Sequence, residues 1–219
     1  MRYVELSHPL QDGMEAYPGM GSVHVGPILD HEGSRDRYKG KAEFYLGRVE
    51  MPVNTGTYLD APFHRLREGE DLADLPLSRL AGLPGVVARA RGAIDAVDIG
   101  LEPADVRGKA VVVDTGWSER WGTPSYWEEM PYLSTASLDL LIEGKAAMVA
   151  VDFGNVDDTN DPVRPAHTRL LEAGILIVES LADPGALPDD GFRFFATPPR
   201  IVRGASFPVR AFAQIDVGR

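Results

Sequence analysis

The 219-residue chain contains no cysteine. That absence excludes disulfides, zinc–thiolate centres, iron–sulfur clusters and any thiol nucleophile, and it leaves the redox compartment open. Long apolar runs are missing too, since no stretch approaches the roughly 20 residues needed to span a bilayer. The opening MRYVELSHPL has no basic region followed by an apolar one, so no signal peptide is expected and the reading is cytoplasmic. Basic clusters are absent as well. Lys and Arg number 22 against 33 Asp and Glu, a formal charge of −11, which argues against nucleic acid and anionic membrane as partners. Histidine is scarce. Only one of five, His64, falls in the stretch richest in reactive groups, MPVNTGTYLDAPFH (residues 51–64).

What is present suits a globular chain: 44% apolar and 25% charged residues, with no internal repeat and no long linker. A chain of this length buries a substantial core, so a single domain over residues 1–219 is expected. Residues 3–6 read as a short strand, followed by a Gly/Pro-rich segment to about Gly33. Residues 42–53 alternate apolar and polar side chains, as a half-buried strand does. Short β-branched or apolar runs at 86–90, 110–114, 147–152 and 175–180 read as buried strands. Further strands are expected at 192–195, 201–202 and 209–215. Ser134 or Thr135 can cap a helix ending near Gly144, and Pro165 can open a second one over 166–173, stopped by Gly174. The order is that of a mixed α/β fold.

Four segments can carry chemistry. In residues 51–64, Gly56 permits an unusual backbone and Pro62 stiffens the chain, so Asp60 and His64 can face one ligand. The bland reading of the same residues is a polar turn beside a satisfied histidine. In HTRLLEAGILIVE, a helix and a strand of similar length run antiparallel, bringing His167 and Glu179 to the same end. A glutamate after four apolar residues is costly to bury unless paired or metal-bound; the competing reading is a strand end that reaches solvent. Asp114, Thr115 and Trp117 end another strand and can line a pocket or simply pack. The carboxylates of VDFGNVDDTNDP (residues 151–162) lack the spacing of a calcium loop and read mainly as turn-formers and helix caps.

Taken together, ELSHPLQDGMEAYPG, NTGTYLDAPFH, VVVDTGW, MVAVDFGNVDD and HTRLLEAGILIVESL resemble the cyclase family of metal-dependent hydrolases, the kynurenine formamidase and isatin hydrolase type. The resemblance implies a swivelling β/β/α-type fold, a homodimer or homotetramer with sites near subunit interfaces, and hydrolysis of a C–N amide-type bond. In the family's H-x-G-T-H-x-D-x-P-x-H signature, the first two histidines and the aspartate bind metal and the last histidine shuttles protons. Asp60, His64, His167 and Glu179 match that scheme, but Asn54 and Tyr58 stand where the two ligand histidines belong. An amide oxygen and a phenol with a pKa of about 10 are poor replacements for imidazole. The resemblance therefore leaves Asp60, His167 and Glu179 for at most one ion, Zn²⁺ or Mn²⁺, or for none.

Three functions compete. The first is an arylformamidase-like or cyclic-amide hydrolase in which metal-bound water attacks the carbonyl, His64 is general base and acid, Tyr58 and Asn54 are substrate-facing hydrogen-bond groups that steady the oxyanion, and Phe63 and Trp117 face the substrate. The second is a metal-independent lyase, isomerase or cyclase using Tyr58 as proton donor, His64 as base and Asp60 or Glu179 as its orienting partner. The third is a small-molecule binding protein without catalysis. Tyr17, Phe63, Trp117 and Trp121 suit a ring-containing ligand; His8, His24 and His31 carry no assigned role.

Overall fold

The computed structural model describes residues 1–15 and 17–216. It divides into two compact units, one formed by Met1–His8 with Thr57–Arg219, the other by Pro9–Gly56. The strands, in chain order, are β1 (Arg2–Glu5), β2 (His24–Leu29), β3 (Leu46–Glu50), β4 (Tyr58–Asp60), β5 (Ala81–Arg89), β6 (Ala96–Val97), β7 (Ala110–Asp114), β8 (Tyr132–Leu133), β9 (Met148–Val151), β10 (Leu176–Glu179), β11 (Asp190–Phe195), β12 (Ser206–Pro208) and β13 (Phe212–Ile215). The helices are α1 (His31–Ser34), α2 (Pro103–Val106), α3 (Thr135–Gly144) and α4 (Pro165–Glu172).

In the larger unit, nine of the described strands form one sheet in the order β1-β13-β11-β5-β7-β9-β10-β4-β12. Strands β5, β7, β9 and β10 are parallel, and the others join antiparallel. The parallel strands are short apolar runs because both of their faces are covered. Alternation divides them: Ala110 and Val112 of β7 join one core cluster, while Val111 and Val113 join the other. The second cluster includes Leu138 and Leu141 of α3 and Ala166, Leu170 and Leu171 of α4, so the helices cover that face. The first cluster draws residues from β1 and β13 through to β4, so the sheet curls around its own interior. Gly85 of β5 lies opposite Phe192 of β11, whose ring comes within 2.0 Å of where a Cβ would sit. Only glycine fits there.

Helix signals in the sequence are realised closely. Ser134 caps α3 by accepting from the Ser137 amide, and α4 opens on Pro165. Other expectations change. Residues 201–202 form no strand, because Ile201 carbonyl accepts from the Gly204 amide in a tight turn. The segment before Gly33 contains β2 and part of α1.

In the smaller unit, β2 pairs antiparallel with β3. The expected half-buried strand over residues 42–53 shrinks to β3, and every residue of it is exposed. Alternation there marks a two-stranded ribbon rather than one face of a large sheet. Among the described residues of the chain, no helix is long and apolar enough to cross a membrane.

Candidate active site

Sheet register builds the site. Strand β4 lies between β10 and β12, with Tyr58 opposite Glu179 on one side and Asp60 opposite Ser206 on the other. Residues two apart on a strand share a face, so Tyr58 and Asp60 point together while Leu59 enters the core. Directly opposed side chains are within reach of each other. The Tyr58 hydroxyl donates to Glu179 Oε2, and the Ser206 hydroxyl donates to Asp60 Oδ1. Glu179 also ends a parallel strand, and the carboxyl ends of parallel strands are where open α/β sheets commonly bind ligands. Ser180, the next residue, has a φ of 58°. Its carbonyl accepts from Thr57 Oγ1 at 2.5 Å, which pins the strand end.

His167 arrives from the first turn of α4. Its Nδ1 lies 2.7 Å from Asp157 Oδ2, and Asp157 also accepts from the Ala166 amide at 2.5 Å and the His167 amide at 3.2 Å. Asp157 thus satisfies two unpaired helix-start amides and holds the imidazole by one nitrogen. The other nitrogen, Nε2, is 3.5 Å from Glu179 Oε1 and 3.7 Å from Asp60 Oδ2. Glu179 Oε1 accepts from the Val156 amide at 2.7 Å. All three side chains are buried.

Two carboxylates and an imidazole out of water perturb each other strongly. Burial opposes charge on His167, but Glu179, the Asp157 hydrogen bond and Asp60 outweigh it and raise the imidazole to about 10. Burial, with Asp60 nearby, raises Glu179 to about 7 against the pull of His167 and the Tyr58 hydroxyl. Asp60 is buried as well, yet His167, His64 and Ser206 bring it below the usual carboxylate range.

His64 stands at the rim with its side chain 30% exposed, which lets it meet both the cluster and solvent. Its ring centroid is 5.4 Å from that of His167. Its Nδ1 is 3.2 Å from Ser206 Oγ. Because the Ser206 proton goes to Asp60, its oxygen can only accept from His64 Nδ1–H, which assigns the lone pair to Nε2. Burial, with His167 and Arg65 beyond it, holds His64 below the ordinary histidine value despite Asp60.

The other candidates lie as follows. Trp117 is buried and its indole donates to the Tyr126 carbonyl at 2.8 Å, a packing arrangement within the helix-side core. Phe63 is half-buried, with the Arg203 guanidinium 5.5 Å from its ring centre. Asn54 is half-buried and belongs to the smaller unit. Trp121 stacks on His8 at 4.0 Å between ring centres. Sequence reasoning missed Ser206 and the orienting role of Asp157. Asp157 had been set among turn-formers and caps; it does cap α4 and holds His167 as well. Ser206 lies in a strand with no polar motif around it, and only its register opposite Asp60 gives it meaning.

The donor set fits a divalent ion. Asp60, His167 and Glu179 each offer one ligand atom, all within 4.8 Å of one another. Ligands about 2.0–2.2 Å from a tetrahedral ion lie roughly 3.3–3.6 Å apart, close to the contacts that His167 Nε2 makes here. Each donor is also anchored from behind, by Ser206, Asp157 and Tyr58, as metal ligands commonly are.

A sequence model of the family described as Putative cyclase matches residues 4–158. Kynurenine formamidase of Geobacillus thermodenitrificans (strain NG80-2) is 29% identical over 168 residues, covering 76% of this chain and 78% of the relative. Isatin hydrolase A from Labrenzia aggregata, solved bound to benzyl benzoate, superposes with a TM-score of 0.80 at 22% identity, covering 98% of this chain and 93% of its own. A structure described as a potential metal-dependent hydrolase with cyclase activity superposes with a TM-score of 0.75 at 21% identity, covering 97% and 96%. At such identities the structural likeness speaks for the fold.

Proposed function

The chain belongs to the putative cyclase family, and from that premise we propose that it is a hydrolase cleaving a C–N amide-type bond in a small molecule. The observation that carries the reading is the buried Asp60–His167–Glu179 cluster with His64 beside it. The kynurenine formamidase and isatin hydrolase relatives point to an aryl formamide or a cyclic amide as the substrate type, and hence to a ring-containing molecule. Residues 1–219 are taken as one cyclase-like domain, because the superpositions extend over nearly the whole chain.

Asp60, His167 and Glu179 would hold one divalent ion, with Zn²⁺ and Mn²⁺ suiting one imidazole and two carboxylates. Such an ion, when bound, lowers the pKa of water and polarises a carbonyl. The chain's own contribution is proton handling and orientation. His64 Nε2 accepts the proton of the attacking water and delivers it to the leaving nitrogen as the C–N bond breaks. Ser206 keeps the imidazole in the tautomer able to do this and links it to Asp60. Asp157 fixes the direction of His167 Nε2. The position of Tyr58 weighs against the metal-independent alternative, because its hydroxyl is buried and donates to Glu179 rather than facing a substrate.

A panel of aryl formamides and cyclic amides tests this reading. Hydrolysis of at least one class by the wild type, with a loss of about 10²-fold or more in His64→Ala, is expected. Absence of hydrolysis across both classes in metal-supplemented protein contradicts it.

The same proposal includes a homodimer or homotetramer. Its support is the smaller unit, where Val25, Ile28, Tyr38, Tyr45, Leu46 and Val49 are all exposed. Val25 and Val49 are direct cross-strand partners on β2 and β3. Val25, Ile28, Leu46 and Val49 lie on this two-stranded ribbon, and exposed apolar side chains gathered there mark an association surface.

A further inference from the structure

Tyr58 stands where the family resemblance implies a ligand histidine, and it is only 3% exposed. The β4–β10 register sets it directly across from Glu179, and its hydroxyl donates to Glu179 Oε2. The other oxygen, Oε1, is the one 3.5 Å from His167 Nε2. Val156 takes one acceptor position of Oε1, which leaves the second for a ligand. Asp60 repeats the pattern: Oδ2 faces His167 Nε2 at 3.7 Å, while Oδ1 accepts from Ser206. Each carboxylate therefore turns one oxygen toward the shared volume and has a hydroxyl on the other.

The Tyr58 hydroxyl meets Glu179 at Oε2, while Oε1 is the oxygen turned to His167 Nε2, so Tyr58 stands behind the carboxylate. We propose that Tyr58 is a positioning residue that holds Glu179 by Oε2 and so turns Oε1 toward a metal. This rests on the reading of Asp60, His167 and Glu179 as a metal centre. It adds to that reading a role for the rewritten position 58.

The test is metal binding rather than turnover. Metal-stripped full-length protein is titrated with Mn²⁺, and the free ion is followed by its electron paramagnetic resonance signal. Wild type is expected to take one Mn²⁺ per chain. Tyr58→Phe, nearly the same shape, is expected to bind about 10- to 100-fold more weakly, the usual cost of removing a group behind a ligand. In a Glu179→Gln background the same change should shift the Kd less than about threefold, because the group it positions is gone. The melting temperature of each metal-free protein separates loss of fold from loss of positioning. An unchanged Kd in Tyr58→Phe, or an equal loss in both backgrounds, overturns the positioning role and leaves the metal centre standing. No Mn²⁺ or Zn²⁺ uptake by wild type overturns the metal centre and the inference with it.

Discussion

Asp157→Asn isolates how the site aims the His167 imidazole. In the wild type, Asp157 Oδ1 accepts from the Ala166 amide at 2.5 Å and Oδ2 lies 2.7 Å from His167 Nδ1. Asparagine keeps a single acceptor oxygen. If that oxygen stays on the helix amide, the NH₂ faces His167 Nδ1, and the neutral imidazole that an ion would need carries its proton on Nε2, toward Asp60 and Glu179. The lone pair then leaves the cluster. Losing one charge-assisted buried hydrogen bond costs about 2 kcal/mol, which lowers the melting temperature of a chain this size by roughly 4–8 °C. Ion affinity should fall about 10- to 100-fold. Calorimetric melting of the metal-free protein and a Zn²⁺ competition titration measure the two effects separately. Full ion affinity and full hydrolysis in a folded Asp157→Asn protein would refute the idea that Asp157 orients a ligand.

Ser206→Ala removes the acceptor that selects the His64 tautomer; kcat should fall about tenfold or more while KM changes little, and equal kcat in steady-state assays contradicts the relay. His8 gives a pH dependence. Burial lowers it to about 4 from 6.5 despite a backbone hydrogen bond to Leu181, so the folded chain keeps it neutral where the unfolded chain takes up a proton. Stability contributed by neutral His8 is present above pH 6.5 and lost as pH falls toward 4, by about 2 kcal/mol after allowance for its partial exposure. Urea titrations from pH 7.5 to 4.5 should show a shallower decline in His8→Gln, and an identical decline rejects the assignment. Val49→Asp places a charge on the exposed ribbon and should shift the protein to smaller species by light scattering, without loss of β-sheet signal; an unchanged molar mass locates any association elsewhere.

Much of the scaffold was legible because its signals are local. Ser134 and Pro165 announce their helices, and 110–114 reads as a strand from composition alone. The proximity of His167 and Glu179 was legible because helix α4 and strand β10 are short and joined by a tight turn at Gly174, and that of Asp60 and His64 because they lie four residues apart in one stretch. What stayed hidden depends on register between distant segments. Ser206 and Asp60 are 146 residues apart, and only the β4–β12 pairing makes them partners. Tyr58 looked like a free proton donor until its pairing with Glu179, 121 residues away, showed where its hydroxyl goes. The strand expected at residues 42–53 is present only as β3, and fully exposed, since alternation gives a strand's period without saying whether anything covers it.

The central claim is that Asp60, His167 and Glu179 form a one-ion centre serving amide hydrolysis. The most direct measurement is metal content per chain in protein purified without chelator, made alongside hydrolysis assays before chelation, after it, and after Zn²⁺ or Mn²⁺ is restored. One ion per chain, with activity lost and regained in step with it, is the predicted result. Hydrolysis that persists unchanged in fully metal-free protein would contradict the account.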